Sequence, residues 1–260
     1  MKKISVWVIV ALFAIPFVFF QGCATEKALK VEMSLPQSKL AHYNDSFDRF
    51  RDDLWEKGAE VYEAKQLSKF KLADMRIEEG RLIFETKTGA FSRNTLRTKF
   101  SLRGDLDVQI DCALEFLPGK LDIDHNLYFA LTGESVSLGK INTIYIHLYK
   151  PLNTSNSFIR YGVIKEGRIS NIEKHSMEKF RGTLRLVRVE DQVKAFYRSE
   201  GDQDWVTLGR LPFKSREVKI GFGLSNYGKI STGILASRSI SASFDNFRIN
   251  AAQEIIESEI

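Results

Sequence analysis

Tyr128, Tyr145, Tyr149, Tyr161, Tyr197 and Tyr227 all fall in or beside stretches where apolar and polar residues alternate. Lys150, Asn156 and Arg160 lie close to them in the chain. Aromatic rings with amide and charged groups are the chemistry of sugar recognition, because ring faces stack on sugar C–H faces while hydroxyls need fixed donors and acceptors. Each tyrosine has a plainer alternative, a place in a core or at its rim. Trp205, just after the Gly201-Asp202 turn, carries the same two readings: packing at a sheet edge, or a stacking platform. The ligand-contacting set expected from the sequence is Tyr128, Tyr145, Tyr149, Tyr161, Arg160 and Trp205.

Other chemistries find fewer parts. Asp122, Asp124 and Asn126 place oxygen ligands at alternate positions of a turn. This is the ligand type of Ca²⁺, which takes about six to eight oxygens; a solvated acidic turn is the competing reading. His42, His125, His147 and His175 are dispersed, a poor pattern for zinc. There is no Gly-x-Ser-x-Gly motif, and Ser237 to Ser243 reads as a turn flanking a strand. Gly221 and Gly223 sit inside an alternating run, where glycine marks close packing rather than a phosphate loop. Cys112 lies in the strand-like run Val108 to Phe116 and reads as a buried thiol, since a reactive one needs a histidine and an electropositive setting.

The elements that must position these residues have a period of two. Alternating runs occur at 69–77, 81–86, 95–102, 106–116, 127–131, 143–149, 158–164, 183–189, 193–198, 204–208, 218–224 and 243–249. In the run 183–189, Leu184, Leu186 and Val189 are expected on one face and Arg185 and Arg188 on the other. With no helical pattern between them, so many short strands imply antiparallel sheets packed as a two-sheet β-sandwich. Ahead of them, Phe47, Phe50 and Leu54 recur at helical spacing between Asp45 and Lys57, predicting a short helix or an irregular lead-in.

The N-terminus carries an address. Lys2 and Lys3 precede an apolar run from Val6 to Phe20, which ends at Gln21-Gly22-Cys23. A small residue before a lone cysteine at that place resembles the lipobox of bacterial lipoproteins. The resemblance implies cleavage after Gly22, lipidation of Cys23 and attachment to the bacterial cell envelope. Ala24 in place of aspartate points to the outer membrane, on its periplasmic or surface face. The expected organisation is a signal peptide over 1–22, Cys23 and a flexible tether over 23–44, the lead-in over 45–67, the sandwich over 68–250 and a tail over 251–260. Loss of Lys2 and Lys3 lowers the formal net charge from +5 to about +3. Basic and acidic residues are interspersed, which argues against a nucleic-acid partner.

The order Gly182 to Arg188, Val193 to Tyr197, Trp205 to Leu208, Val218 to Leu224 and Phe244 to Ile249 resembles the concanavalin A-like lectin/glucanase superfamily, in its laminin-G-like jelly rolls. Gly80-Arg-Leu-Ile and Gly104-Asp-Leu-Asp-Val match its opening strands. The resemblance implies a jelly roll with a concave sheet, supplied here largely by Leu127 to Val163. It also implies polysaccharide as a partner, and it adds Asp245 of the last strand to Asp122 and Asp124 as a place for Ca²⁺. Retaining glucanases of this fold carry Glu-x-Asp-x-x-Glu on one strand, and this sequence has no such array; Asp105 and Asp107 have the spacing but belong to a strand opening. The expectation is an envelope lipoprotein with a non-catalytic, carbohydrate-binding jelly roll. The alternatives are a hydrolase or lyase with atypical residues, or a structural or partner-binding envelope protein.

Overall fold

The computed structural model describes residues 31–57, 69–134, 141–165, 168–226 and 235–257. Cys23, the signal segment and Tyr227 lie outside these. Among the described residues one short helix, α1 (Gln37–Ala41), precedes the strands β1 (Trp55–Lys57), β2 (Phe70–Leu72), β3 (Asp74–Glu78), β4 (Arg81–Glu85), β5 (Phe91–Thr98), β6 (Ser101–Glu115), β7 (His125–Glu134), β8 (Ile141–Lys150), β9 (Phe158–Lys165), β10 (Arg168–Ser176), β11 (Lys179–Val189), β12 (Gln192–Ser199), β13 (Val206–Pro212), β14 (Glu217–Asn226) and β15 (Ser241–Ile256).

The strands form two layers. The front sheet runs β10-β9-β8-β7-β14-β5, with β1 antiparallel and β2 parallel along the far side of β5. The back sheet runs β13-β12-β11-β6-β15-β4-β3. The layers join at one corner, where Glu217 and Val218 of β14 pair with Arg103 and Leu102 of β6.

Alternation sends one side of each strand inward. Leu127, Phe129 and Leu131 of β7, Ile144, Ile146 and Leu148 of β8, and Ile220, Phe222 and Leu224 of β14 meet Val108, Ile110, Leu184, Leu186, Phe244 and Ile249 of the back sheet. Burial of this apolar area is the main force holding the layers together. Register shifts in β15 after Asp245 and after Ile249 change which residues face in, so Phe244 and Phe247 are both buried. Trp55 lies at the centre of an aromatic cluster, 5.1 Å from Phe222 and 5.0 Å from Phe247 between ring centroids. Its indole nitrogen donates to buried Asp45 at 2.7 Å, and the Phe47 amide donates to the same carboxylate at 2.8 Å.

Of the two forms expected for the lead-in, its described part over 45–57 takes the irregular one: Asp45 bridges to Phe247 by backbone hydrogen bonds and the segment ends as β1. Other expectations are corrected. Residues 31–44 are packed on the sandwich rather than tethering it, with Val31, Leu40 and Tyr43 buried and the Leu35 amide donating to the Ala252 carbonyl at 2.7 Å. Residues 251–256 are not a tail but the end of β15. Arg188 does not share a face with Arg185. It points inward beside Leu186, 2% exposed, and donates to the carbonyls of Gly104 and Ser215. Burial lowers its pKa to about 10. Among the described residues no helix is long and apolar enough to cross a membrane.

Candidate functional site

The outward face of the front sheet carries an array of polar and aromatic side chains. Strand register arranges it in rows. One row places Thr95, Gly223, Tyr128, His147 and Arg160 side by side across β5, β14, β7, β8 and β9. The next holds Arg97, Gly221, Ala130, Tyr145 and Gly162. On the other side lie Arg93, Ser225, Asn126, Tyr149 and Phe158. Gly221, Gly223 and Ala130 carry little side chain, so larger residues on both sides wall a cleft of about 400 Å³. Gly223 has no alternative, because a Cβ there would collide with the Asn94 carbonyl oxygen of β5.

His147 is the centre of the contacts. It stacks on Tyr145 at 4.0 Å between ring centroids and lies 6.0 Å from Tyr128. Arg160 reaches its Nδ1 at 3.2 Å, so that nitrogen accepts and the neutral ring carries its proton on Nε2. Burial, then the charges of Arg160 and Arg93, hold the imidazole pKa well below its usual value. The Arg160 guanidinium also lies over the Tyr149 ring, 3.8 Å from its centroid. Arg93 lies over Tyr128 at 5.2 Å and donates to its hydroxyl at 3.2 Å. Burial and then Asp124 raise the Tyr149 hydroxyl to about 12. At the cleft's margin Arg97 and Lys219 share Glu56, at 2.8 and 3.1 Å.

Of the expected ligand-contacting residues, Tyr128, Tyr145, Tyr149 and Arg160 occupy this face, although Tyr145 is covered and forms floor beneath His147. Tyr161 belongs to the core. Its ring is buried and its hydroxyl donates to the Val193 carbonyl of the back sheet at 2.7 Å. Trp205 lies on the outward side of the back sheet, half-buried between Arg198 at 4.6 Å and Arg185 at 5.2 Å. The structure therefore does not bring it to the tyrosines. The three aspartates do not converge either. Asp124 accepts from the Leu152 amide at 2.7 Å, Asp122 accepts from Ser237, and Asp245 lies opposite Asp111 within reach of Arg81. Among the described residues no cluster of His, Cys, Asp or Glu has the geometry to hold a metal ion. Cys112 is buried, and its thiol pKa is raised well above the usual value, first by that burial and then by Asp111. Sequence reasoning missed His147, Arg93 and the small-residue floor.

Glycoside hydrolysis needs two carboxyl groups about 5 to 9.5 Å apart across the scissile bond. The stretches 91–98, 126–132, 143–149, 158–164 and 219–225, which build the cleft, contain no Asp or Glu.

Two mostly antiparallel layers in this strand order, with a cleft on one outward face, define an all-β jelly-roll sandwich, a fold shared with solved glucanase structures. The catalytic domain of an endo-1,3-β-glucanase (laminarinase) from Thermotoga petrophila superposes with a TM-score of 0.57 at 10% identity, over 80% of this chain and 95% of that one. A β-1,3-1,4-glucanase (lichenase) from a mouse hindgut metagenome gives 0.55 at 13% identity, over 80% and 97%. The CBM2 module of the evolved Dit of Lactobacillus casei BL23 phage J-1 gives 0.56 at 8% identity, over 84% and 96%. No family model and no curated protein matches the sequence.

Proposed function

We propose that this chain is a non-catalytic glycan-binding protein whose ligand lies in the cleft of the front sheet, and that a lipid on Cys23 anchors it to a bacterial envelope membrane. The observation that carries the binding reading is the composition of the cleft. The stretches 91–98, 126–132, 143–149, 158–164 and 219–225 supply Tyr128, Tyr149, His147, Asn126, Arg93 and Arg160, and no Asp or Glu. Rings and fixed donors hold a sugar, whereas hydrolysis through two carboxyl groups has no residues there to perform it. Structural neighbours include glucanases and a CBM2 module, so the scaffold accommodates both readings and the side chains favour binding.

The test is affinity electrophoresis against a panel of polysaccharides. Mobility should be retarded by at least one of them, and Tyr128→Ala and Tyr149→Ala should each weaken the effect by roughly threefold to tenfold. Release of reducing ends from the retained polymer, abolished by a single Asp or Glu substitution, would establish a hydrolase instead.

A further inference from the structure

We propose that the cleft recognises an acidic glycan, and that Arg160 reads a sugar carboxylate. This rests on the glycan-binding reading and names the chemical class of its ligand.

Arg160 is held flat on one side by the Tyr149 ring, and its terminal nitrogen is spent on His147 Nδ1. Its Nε is buried, with no hydrogen-bond partner among the described residues. Fixed by Tyr149 and His147, the guanidinium at the β9 edge of the cleft is a preorganised donor plane for a ligand oxygen. Alongside it, 143–149 of β8 and 158–164 of β9 contain no Asp or Glu. Its cross-strand neighbour on β10 is Lys174, whose ammonium lies over Phe158 at 4.5 Å. Two cations thus stand together at one end of the array. Arg97 and Lys219 stand at the other, sharing a single carboxylate, Glu56.

A surface of one sign attracts the opposite charge and suppresses the wrong partner. The planar guanidinium fork matches a carboxylate by paired N–H donors, which a lysine cannot reproduce. Held neutral, His147 adds no further cation and offers its Nε2–H as a donor to a sugar hydroxyl or ring oxygen. Gly221, Gly223 and Ala130 let the polymer approach the backbone.

The experiment uses the full chain with polygalacturonate, the same polymer after reduction of its carboxyl groups, neutral laminarin, and dextran sulfate. Polygalacturonate should retard the protein, and carboxyl reduction should weaken binding at least tenfold. Arg160→Lys, which keeps the charge and the fold, should weaken it about tenfold. Arg248→Ala, an exposed charge removal on the back sheet, should leave it unchanged. If laminarin binds and polygalacturonate does not, the acidic-ligand proposal is overturned while the glycan reading stands. If no polysaccharide on a broad array is retained, the glycan reading itself fails. If dextran sulfate binds as tightly as polygalacturonate and Arg160→Lys binds both as well as the parent, the cleft senses only bulk charge and Arg160 is no carboxylate reader.

Discussion

His125 shows how much a single buried side chain can say. It starts β7, is almost fully covered, and its Nδ1 has no hydrogen-bond partner among the described residues. Burial, with the charges of Lys150 and Arg238, lowers its pKa from 6.5 to about 4. The unfolded chain takes up this proton below pH 6.5, the folded chain only near 4. The stability that the neutral ring carries is therefore whole above pH 6.5 and is lost as pH falls towards 4, by about 3 kcal/mol in full. His147, also held neutral, adds loss of the same sign. Urea midpoints measured from pH 7 to pH 4 should fall, and His125→Asn should flatten part of that fall; identical pH dependence in parent and variant would rule the account out. Residue-scale reasoning from sequence had one readable limit. Arg160 and Tyr161 are adjacent in a strand, so they must face opposite ways, and only one of the two could reach the cleft. The burial of Tyr161 follows from that parity.

Among the elements, β7, β8, β11, β12 and β14 were legible because apolar and polar residues alternate along much of each. β10 was not: Arg168 to Ser176 is polar for most of its length and pairs on one side only, so little apolar pattern is needed to hold it. The lead-in left helix and irregular chain both open for a different reason. Phe47, Phe50 and Leu54 have helical spacing, but Asp45 and Phe47 are fixed by long-range contacts to β15 and to Trp55, which override a weak local preference. Bulges in β15 concealed its length, since each one shifts the alternation. The two cleft glycines of β14 separate packing from binding. A Cβ at Gly221 meets only the Leu96 carbonyl oxygen at 3.5 Å, whereas one at Gly223 collides with β5. Gly223→Ala should cost about 1–3 kcal/mol in stability. Gly221→Ala should stay within about 0.5 kcal/mol of the parent by chemical denaturation. Equal costs at both positions would contradict the geometry of the floor.

For the whole molecule, the all-β class and the two-layer arrangement were readable, because they depend on the number of strands and on alternation. The partners across the cleft were not. Arg93 comes from β5 and the glycine floor from β14, which meet β7 only through sheet topology. The packed segment 31–44 also shortens any leash between Cys23 and the sandwich to fewer residues than composition suggested. Cys23→Ser should move the protein from the membrane fraction to the soluble fraction after cell fractionation. Unchanged membrane attachment, with the apolar segment still present in the mature chain, would refute lipidation.

The outermost strands of the long run, β10 and β13, differ from a plain ribbon. β10 has a register shift between Asn171 and Glu173, and β13 has one against β12 and ends at Pro212. Broken register and a residue without an N–H deny an approaching chain the even ladder it would need to extend a sheet. Two copies of this sandwich that meet along those strands are therefore hindered from fusing their sheets into one continuous ladder.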